Sequence, residues 1–318
     1  MTDQFESTEE QFSQTLMIMA IAALFFALIF LSSTPIFIRF SEREISASAT
    51  AFNRFWISTT LLGLWKGLQG LRCRISLDKP ITQDYLPDSG WVWGGLLGVG
   101  IFFSADIIIW AWSLTQTSVA NATLLANLTP VFTILGGWLV WKRGFESKFL
   151  MGMSLAMAGA IAIGLEDWQI TTGKVEGDIA AILASITFAV YLLILERLQT
   201  RLKATTILFW SSAIATVFSL PIALLSGDNL FPYSWQGWSA ILCFALVCQI
   251  LGQWLLVYSL DHFSSGFVAV FLLLEPVLAA IGAWILFYEQ LSLFNWIAFG
   301  VVLGGIYLAL SSEYKSPT

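Results

Sequence analysis

LLANLTPVFTILGGWLV (residues 124–140) lines up without a gap on VFLLLEPVLAAIGAWIL (270–286), 146 positions further along the chain. The two stretches share Leu128/Leu274, Pro130/Pro276, Val131/Val277, Gly136/Gly282 and Trp138/Trp284. The match extends over 112–160 and 258–306, adding Ser113/Ser259, Leu114/Leu260, Ser118/Ser264 and Gly159/Gly305. Leu and Val coincide by chance in any apolar chain, but Pro, Gly and Trp in register do not. The chain therefore reads as a duplication.

Composition says what is duplicated. Of 318 residues, 57% are hydrophobic and 11% charged, and mean hydropathy is +0.78. A soluble domain carries about a quarter charged residues, so this chain lacks the polar surface to solvate a globule. It reads as an all-α membrane protein with the lipid bilayer as its first partner. Intrinsic disorder is excluded by the same numbers. The net charge of −6, with no basic cluster, argues against nucleic acid. Three cysteines (Cys73, Cys243, Cys248) form no disulfide framework, and a single histidine, His262, excludes a multi-histidine metal site. No cofactor or metal is expected, and no residue is read as catalytic.

A membrane helix needs about 20 mostly apolar residues. Ten segments qualify: 15–39, 46–67, 90–113, 118–141, 148–165, 177–197, 204–226, 237–260, 264–287 and 291–311. The expected organisation is a cytoplasmic tail at 1–14, a first five-helix repeat at 15–165, a second at 177–311 and a cytoplasmic tail at 312–318. The acidic stretch 1–14 has no basic residue, unlike a signal or transit peptide, so the first apolar run reads as a retained span. With the N-terminus inside, inner loops and tail hold 11 Lys or Arg and outer loops three. The positive-inside rule thus places both termini in the cytoplasm, in a cell (plasma or inner) membrane.

Five spans per copy is an odd number, so the second copy must enter the bilayer upside down. Charge agrees: Trp-Lys-Arg (141–143) ends the fourth span, whereas Phe-Tyr-Glu (287–289) ends the ninth. Two inverted five-helix repeats are a common build of secondary transporters, whose site lies near the midplane between the repeats.

These residues resemble the EamA-type branch of the drug/metabolite transporter superfamily. The resemblance covers about 15–165 and 177–311. It rests on Arg54 after ISASATAFN, on 124–140, on Gly177-Asp178, on LLLEPVLAAIGAWILFYEQ (272–290) and on the glycines of the tenth span. It implies export or exchange of small metabolites, amino acids among them, through a central cavity. One departure is that Lys142 and Arg143 stand where the family often has Gly-Glu; Glu289 keeps the acid in the second copy.

Charge inside a membrane costs roughly 2.5–3.5 kcal/mol at a helix centre, so such residues face protein or water. Arg54 and Asp106 have similar expected depths, which predicts an ion pair. Glu275 lies near the midplane. Asp106, Asn127 and Glu275 are read as lining the substrate path, where Asp106 or Glu275 would bind a proton or a cationic group on the solute. Thr123 shares a helix face with Asn127 by i,i+4 spacing, Gln249 with Gln253, and Tyr191 with Thr187; interhelical hydrogen bonding competes with solute binding for all of these. Pro130 and Pro276 each free a carbonyl one turn earlier, so spans four and nine should kink beside a wet interior. The four-residue recurrence Gly152, Ala156, Ala160, Gly164, mirrored by Gly300 and Gly304, reads as close helix packing.

The expected function is a secondary transporter, an exporter or exchanger of small polar or amphipathic metabolites, working by alternating access. A non-transporting sensor or scaffold and, further behind, an intramembrane enzyme are the competing classes. The enzyme lacks a nucleophile–base constellation. Oligomeric state is not legible.

Overall fold

A span that carries proline can leave its helix ladder only where its freed carbonyl finds protein or water, and the computed structural model interrupts the expected spans four and nine accordingly. It describes residues 2–41, 43–75, 89–117, 119–166, 175–227, 229–287 and 291–313. In order, the helices are α1 (Thr2–Ser32), α2 (Thr34–Ser41), α3 (Ala47–Ile75), α4 (Gly90–Gln116), α5 (Val119–Ala126), α6 (Thr129–Trp141), α7 (Ser147–Glu166), α8 (Val175–Gln199) and α9 (Ala204–Leu225). They continue as α10 (Trp235–Cys243), a π-helical stretch (Phe244–Gly252), α11 (Gln253–Ser259), α12 (Ser265–Leu272), α13 (Glu275–Phe287) and α14 (Leu293–Glu313).

Eight of the expected spans are long and apolar enough to cross a bilayer. The other two fall on α3, which is long but polar, and on α7, whose apolar part Ser147–Ile163 is shorter. The outward surface is what hydrocarbon demands: Leu225 is 86% exposed and Leu139 74%, and Trp138 and Trp235 also face out. α3 does the reverse, burying Thr50, Asn53, Arg54 and Ser58 among its neighbours.

Spans four and nine break in register. The N–H of Leu128 donates to the Leu125 carbonyl at 3.2 Å, and that of Leu274 to Phe271 at 3.0 Å, so each helix tightens for one turn and restarts before its proline. Leu128 and Leu274 are partners under the 146-residue offset. Two interruptions were not expected. The first span splits at Ser33, whose hydroxyl donates to the Phe30 carbonyl at 2.6 Å, and the eighth widens into the π-helical stretch. The acidic stretch before the first span is helical from Thr2 onward, and the candidate span begins at Met17.

The most extensive helix contact joins α7 to α14. A Cβ added to Gly305 would fall 2.3 Å from the Ala156 nitrogen and 2.6 Å from the Gly152 carbonyl oxygen; one on Gly159 would fall 2.8 Å from the Val302 nitrogen. The partners run in opposite numerical order, Gly152 meeting Gly305 and Ala309 while Gly159 meets Ala298 and Val302. The two helices therefore cross antiparallel, backbone on backbone. Small residues permit that approach. The second-copy glycine at the seam is Gly305, whereas Gly300 and Gly304, expected there, have open space at their Cβ positions.

Helix partners are exchanged between the copies. α4 packs on α8 while α1 packs on the π stretch and α11; α6 meets α8 while α13 meets α1; α3 meets α9, and α6 meets α12. Polar links then tie the two ends. At one end the Glu44 carboxylate, before α3, accepts from the Ser234 hydroxyl and from the Ser234 and Tyr233 amides, both at 3.1 Å. At the opposite end Glu196 of α8 accepts from Arg143 at 2.5 Å and from the Ser265 amide at 3.1 Å, opening α12.

Candidate functional site

Arg54 is the centre of the interior. It is 4% exposed, deep in the polar face of α3. Its Nε donates to Gln249 Oε1 at 2.6 Å, and Gln249 Nε2 donates to Ser212 Oγ of α9 at 3.3 Å. Three rings surround the guanidinium: Phe244 at 4.7 Å, Phe103 at 5.5 Å and Phe55 at 5.9 Å from their centroids. Cation–π attraction of about 2 kcal/mol or more when desolvated lets such a box hold a buried cation.

The π-helical stretch makes this grip possible. Phe244 and Gln249 are five residues apart, and on an α-helix such residues point roughly 140° apart, at 3.6 residues per turn. An i→i+5 ladder widens the turn and brings them toward one face. Both then address one guanidinium.

Asp106 lies one turn beyond Phe103 on α4, on the same face, and it and Glu275 both lie within electrostatic reach of Arg54. Asp106 and Glu275 are half-buried, and neither carboxylate takes a hydrogen bond or an ion pair among the described residues. The direct Arg54–Asp106 pair expected from depth is not formed: among the described residues the ion pair within 4.0 Å is Arg143–Glu196. The reason is packing. α3 lies mainly against α9 and the π stretch and only lightly against α4, so the guanidinium meets Gln249 first.

Tyr191 completes the cluster. Its hydroxyl donates to Gln253 Oε1 at 2.9 Å, and its ring stacks on Phe103 at 4.8 Å and on Phe188 at 5.5 Å. Gln249 and Gln253 are 0% and 3% exposed and spend their amides on protein partners. Thr187, on the Tyr191 face, donates to the Ala184 carbonyl. Thr123 and Asn127 sit apart, half-buried at the break between α5 and α6, with no side-chain hydrogen bond to the cluster among the described residues. Pro130 and Pro276 stand just inside α6 and α13.

The arrangement is thus one pinned cation, two unpartnered acids and an aromatic wall, drawn from α3, α4, α8, the π stretch, α11 and α13. Residues not singled out from the sequence are Phe55, Phe103, Phe188, Phe244 and Ser212. Phe103 was findable, three residues before Asp106; Phe244 was not, because helical periodicity places it on another face. Among the described residues no group of three His, Cys, Asp or Glu side chains is arranged to hold a metal ion.

Comparison with known proteins places this geometry in context. The model of the EamA-like transporter family matches residues 18–165 and 175–311. An uncharacterized transporter of Archaeoglobus fulgidus is 26% identical over 308 residues, covering 95% of this chain and 99% of its own. The pseudopaline exporter CntI of Pseudomonas aeruginosa is 24% identical over 220 residues, 69% of this chain and 75% of its own. UDP-galactose transporter 1 of Arabidopsis thaliana is 22% identical over 222 residues, 67% and 65%. A solved crystal structure matches with a TM-score of 0.74 at 17% identity, covering 93% of this chain and 99% of that one, a likeness of fold. The two matched regions together span most of the sequence, and the chain belongs to the EamA-like transporter family of the drug/metabolite transporter superfamily.

Proposed function

We propose that the protein is a secondary carrier that moves a small polar or amphipathic organic metabolite, amino acids among the candidates, outward across the cell membrane by alternating access. The observation that carries this reading is the pair of unpartnered carboxylates beside a buried, pinned arginine where helices of both copies converge. Leaving an acid unpaired in a membrane interior is costly unless it faces water or a solute. The name of the pseudopaline exporter supports outward movement of an organic solute.

α3 and α7 complete ten spans in this reading, and the two copies stand as inverted repeats. The antiparallel α7–α14 crossing and the exchange of helix partners support that arrangement. The copies rock about the α7–α14 and α3–α9 contacts, while the Glu44 link at one end and the Arg143–Glu196–Ser265 link at the other open in turn. Both termini then lie in the cytoplasm.

The test has two parts. Exported metabolites are compared between cells with and without the protein, and the solute so found is followed in proteoliposomes. Asp106→Asn and Glu275→Gln should each lower flux at least tenfold in protein that elutes as a folded species. Full flux in both variants would remove the proposed roles, and solute binding without flux in sealed vesicles would favour a sensor.

A further inference from the structure

A cavity of about 410 Å³ lies within the second copy, and none of the Arg54 cluster lines it. Its walls are Gln199 at the end of α8, Arg201, Lys203 and Thr205 around the start of α9, and Trp254 and Tyr258 of α11. These positions lie at or near ends of the candidate spans Val175–Gln199, Ala204–Leu225 and Trp235–Ser259, so the cavity sits at headgroup depth. It shares that end of the bundle with the Glu196–Ser265 link. Its electrostatics are one-sided. α9 has no acid in its first turn, and its N-cap, Lys203, supplies no side-chain cap. The Thr206 and Ile207 amides donate to the Lys203 carbonyl at 2.9 and 3.1 Å, while the Ala204 and Thr205 amides make no backbone hydrogen bond among the described residues. A helix start carries about half a positive charge and favours an anion, yet two cations stand beside this one. The Arg201 guanidinium is exposed and takes no hydrogen bond or ion pair among the described residues. Asp261, lining the cavity just past α11, stays beyond ion-pair distance of it. A second mark is independent of charge: the Gln199 side-chain oxygen is buried without a hydrogen-bond partner, an acceptor lacking its donor.

Going beyond the carrier reading, and independently of it, we propose that this cavity binds the headgroup of an anionic phospholipid of the phosphatidylglycerol kind. The phosphodiester sits against the α9 start, Arg201 and Lys203, and a glycerol hydroxyl donates to Gln199. Charge selects the diester. Of the side chains that line the cavity two are cations and one is an acid, and the helix start adds about half a positive charge. A diester brings one negative charge and matches that balance, whereas a phosphomonoester brings about two at neutral pH. The Trp254 and Tyr258 rings, stacked at 5.8 Å, supply an apolar wall for the glycerol backbone and first methylenes, at the depth where such rings are favoured. In the orientation proposed above the site lies in the cytoplasmic leaflet, where anionic lipids attract basic positions.

The test measures the melting midpoint of the purified full chain in dodecyl maltoside micelles doped with dioleoylphosphatidylglycerol or with its phosphatidylcholine counterpart. Plain micelles with glycerol phosphate or inorganic phosphate supply the same anion in soluble form. A ligand of the folded state raises the midpoint, so phosphatidylglycerol should exceed phosphatidylcholine by about 3 °C or more, and neither soluble phosphate should move it by more than about a degree. Arg201→Gln should lose most of that rise. Lys148→Gln removes a cation at the same end, in the first turn of α7 and outside the cavity, and should keep all of it. Thr205→Asp places an acid in the first turn of α9; it should raise the midpoint in plain micelles and abolish the response to lipid. Equal responses to the two lipids, a soluble phosphate as effective as phosphatidylglycerol, or Arg201→Gln with the full rise would each overturn the site. So would Lys148→Gln losing as much as Arg201→Gln, or Thr205→Asp that still responds. The readout needs no flux, so failure of this site leaves the carrier reading standing, and failure of transport in vesicles leaves the site standing.

Discussion

The α7–α14 seam and the Arg54 cluster are both buried helix junctions, and they are built on opposite principles. At the seam, Gly152, Ala156, Gly159, Gly305 and Ala309 bring two backbones within touching distance, with the Val302 side chain seated on Gly159. At the cluster, large aromatic and amide side chains hold helices apart around a cation, and two carboxylates are left without partners. The seam is closed by backbone contact. The cluster keeps unmet polar capacity, which inside a membrane is costly unless it faces water or a solute. The α7–α14 junction is close-packed; the Arg54 junction is left incomplete.

The seam should break first. Gly305→Leu places a branched side chain where a Cβ alone meets the Ala156 nitrogen at 2.3 Å. Overpacking ordinarily costs about 1–3 kcal/mol and more where backbone cannot yield. The expected result is loss of monodisperse protein on size exclusion, whereas Gly300→Leu and Gly304→Leu, with open space at Cβ, should elute as the parent does.

A second comparison sets Arg54→Gln against Asp106→Asn. The first removes the hydrogen bond to Gln249 and the charge in the aromatic box, and a buried partner left alone costs about 1–3 kcal/mol. It should lower the melting temperature and abolish flux together. Asp106→Asn breaks no bond to protein, so it should lower flux at least tenfold while the melting temperature stays within a degree or two. Equal loss of stability in both would erase the distinction between a satisfied and an unsatisfied group.

The two end links should respond least. Arg143 is 39% exposed at its side chain, so Arg143→Gln should cost no more than about 1 kcal/mol of stability, seen as a small shift in denaturant midpoint. Glu44 is half-buried, and the Ser234 hydroxyl holds its carboxyl below the usual glutamate range; partial desolvation opposes this, and the Ser234, Tyr233 and Gly237 amides add to the lowering. A depressed folded pKa means the link contributes above the ordinary glutamate value and is lost as pH falls through the lowered one. Amide exchange at Tyr233 and Ser234, corrected for its intrinsic pH dependence, should become less protected through that acid window. In Glu44→Gln the corrected protection should be flat with pH.

Much of this was legible beforehand because hydrophobic length and duplicated Pro, Gly and Trp are properties of linear order. Pro130 and Pro276 announced the two breaks, and they occur where the missing N–H requires. Family membership followed from the same marks. What was illegible had a common cause. The partner of Arg54 was assigned by depth to Asp106, but depth is one coordinate, and the choice between α4 and the π stretch depends on which helix lies alongside α3. Gly300 and Gly304 were assigned to the seam by spacing, yet the crossing rotates Gly305 into it.

By itself, the order of residues determined that the chain lies in a membrane, that it is built from two related copies, and that Arg54, Asp106 and Glu275 must be kept from lipid. Each follows from transfer energies that act residue by residue. Only the packed bundle decided that Gln249 and not Asp106 pins the arginine, that Phe244 joins the same grip, and that the two acids remain open. Those outcomes depend on helix rotation, neighbour choice and one π-helical stretch, which are settled by side chains meeting across the interior rather than along the chain.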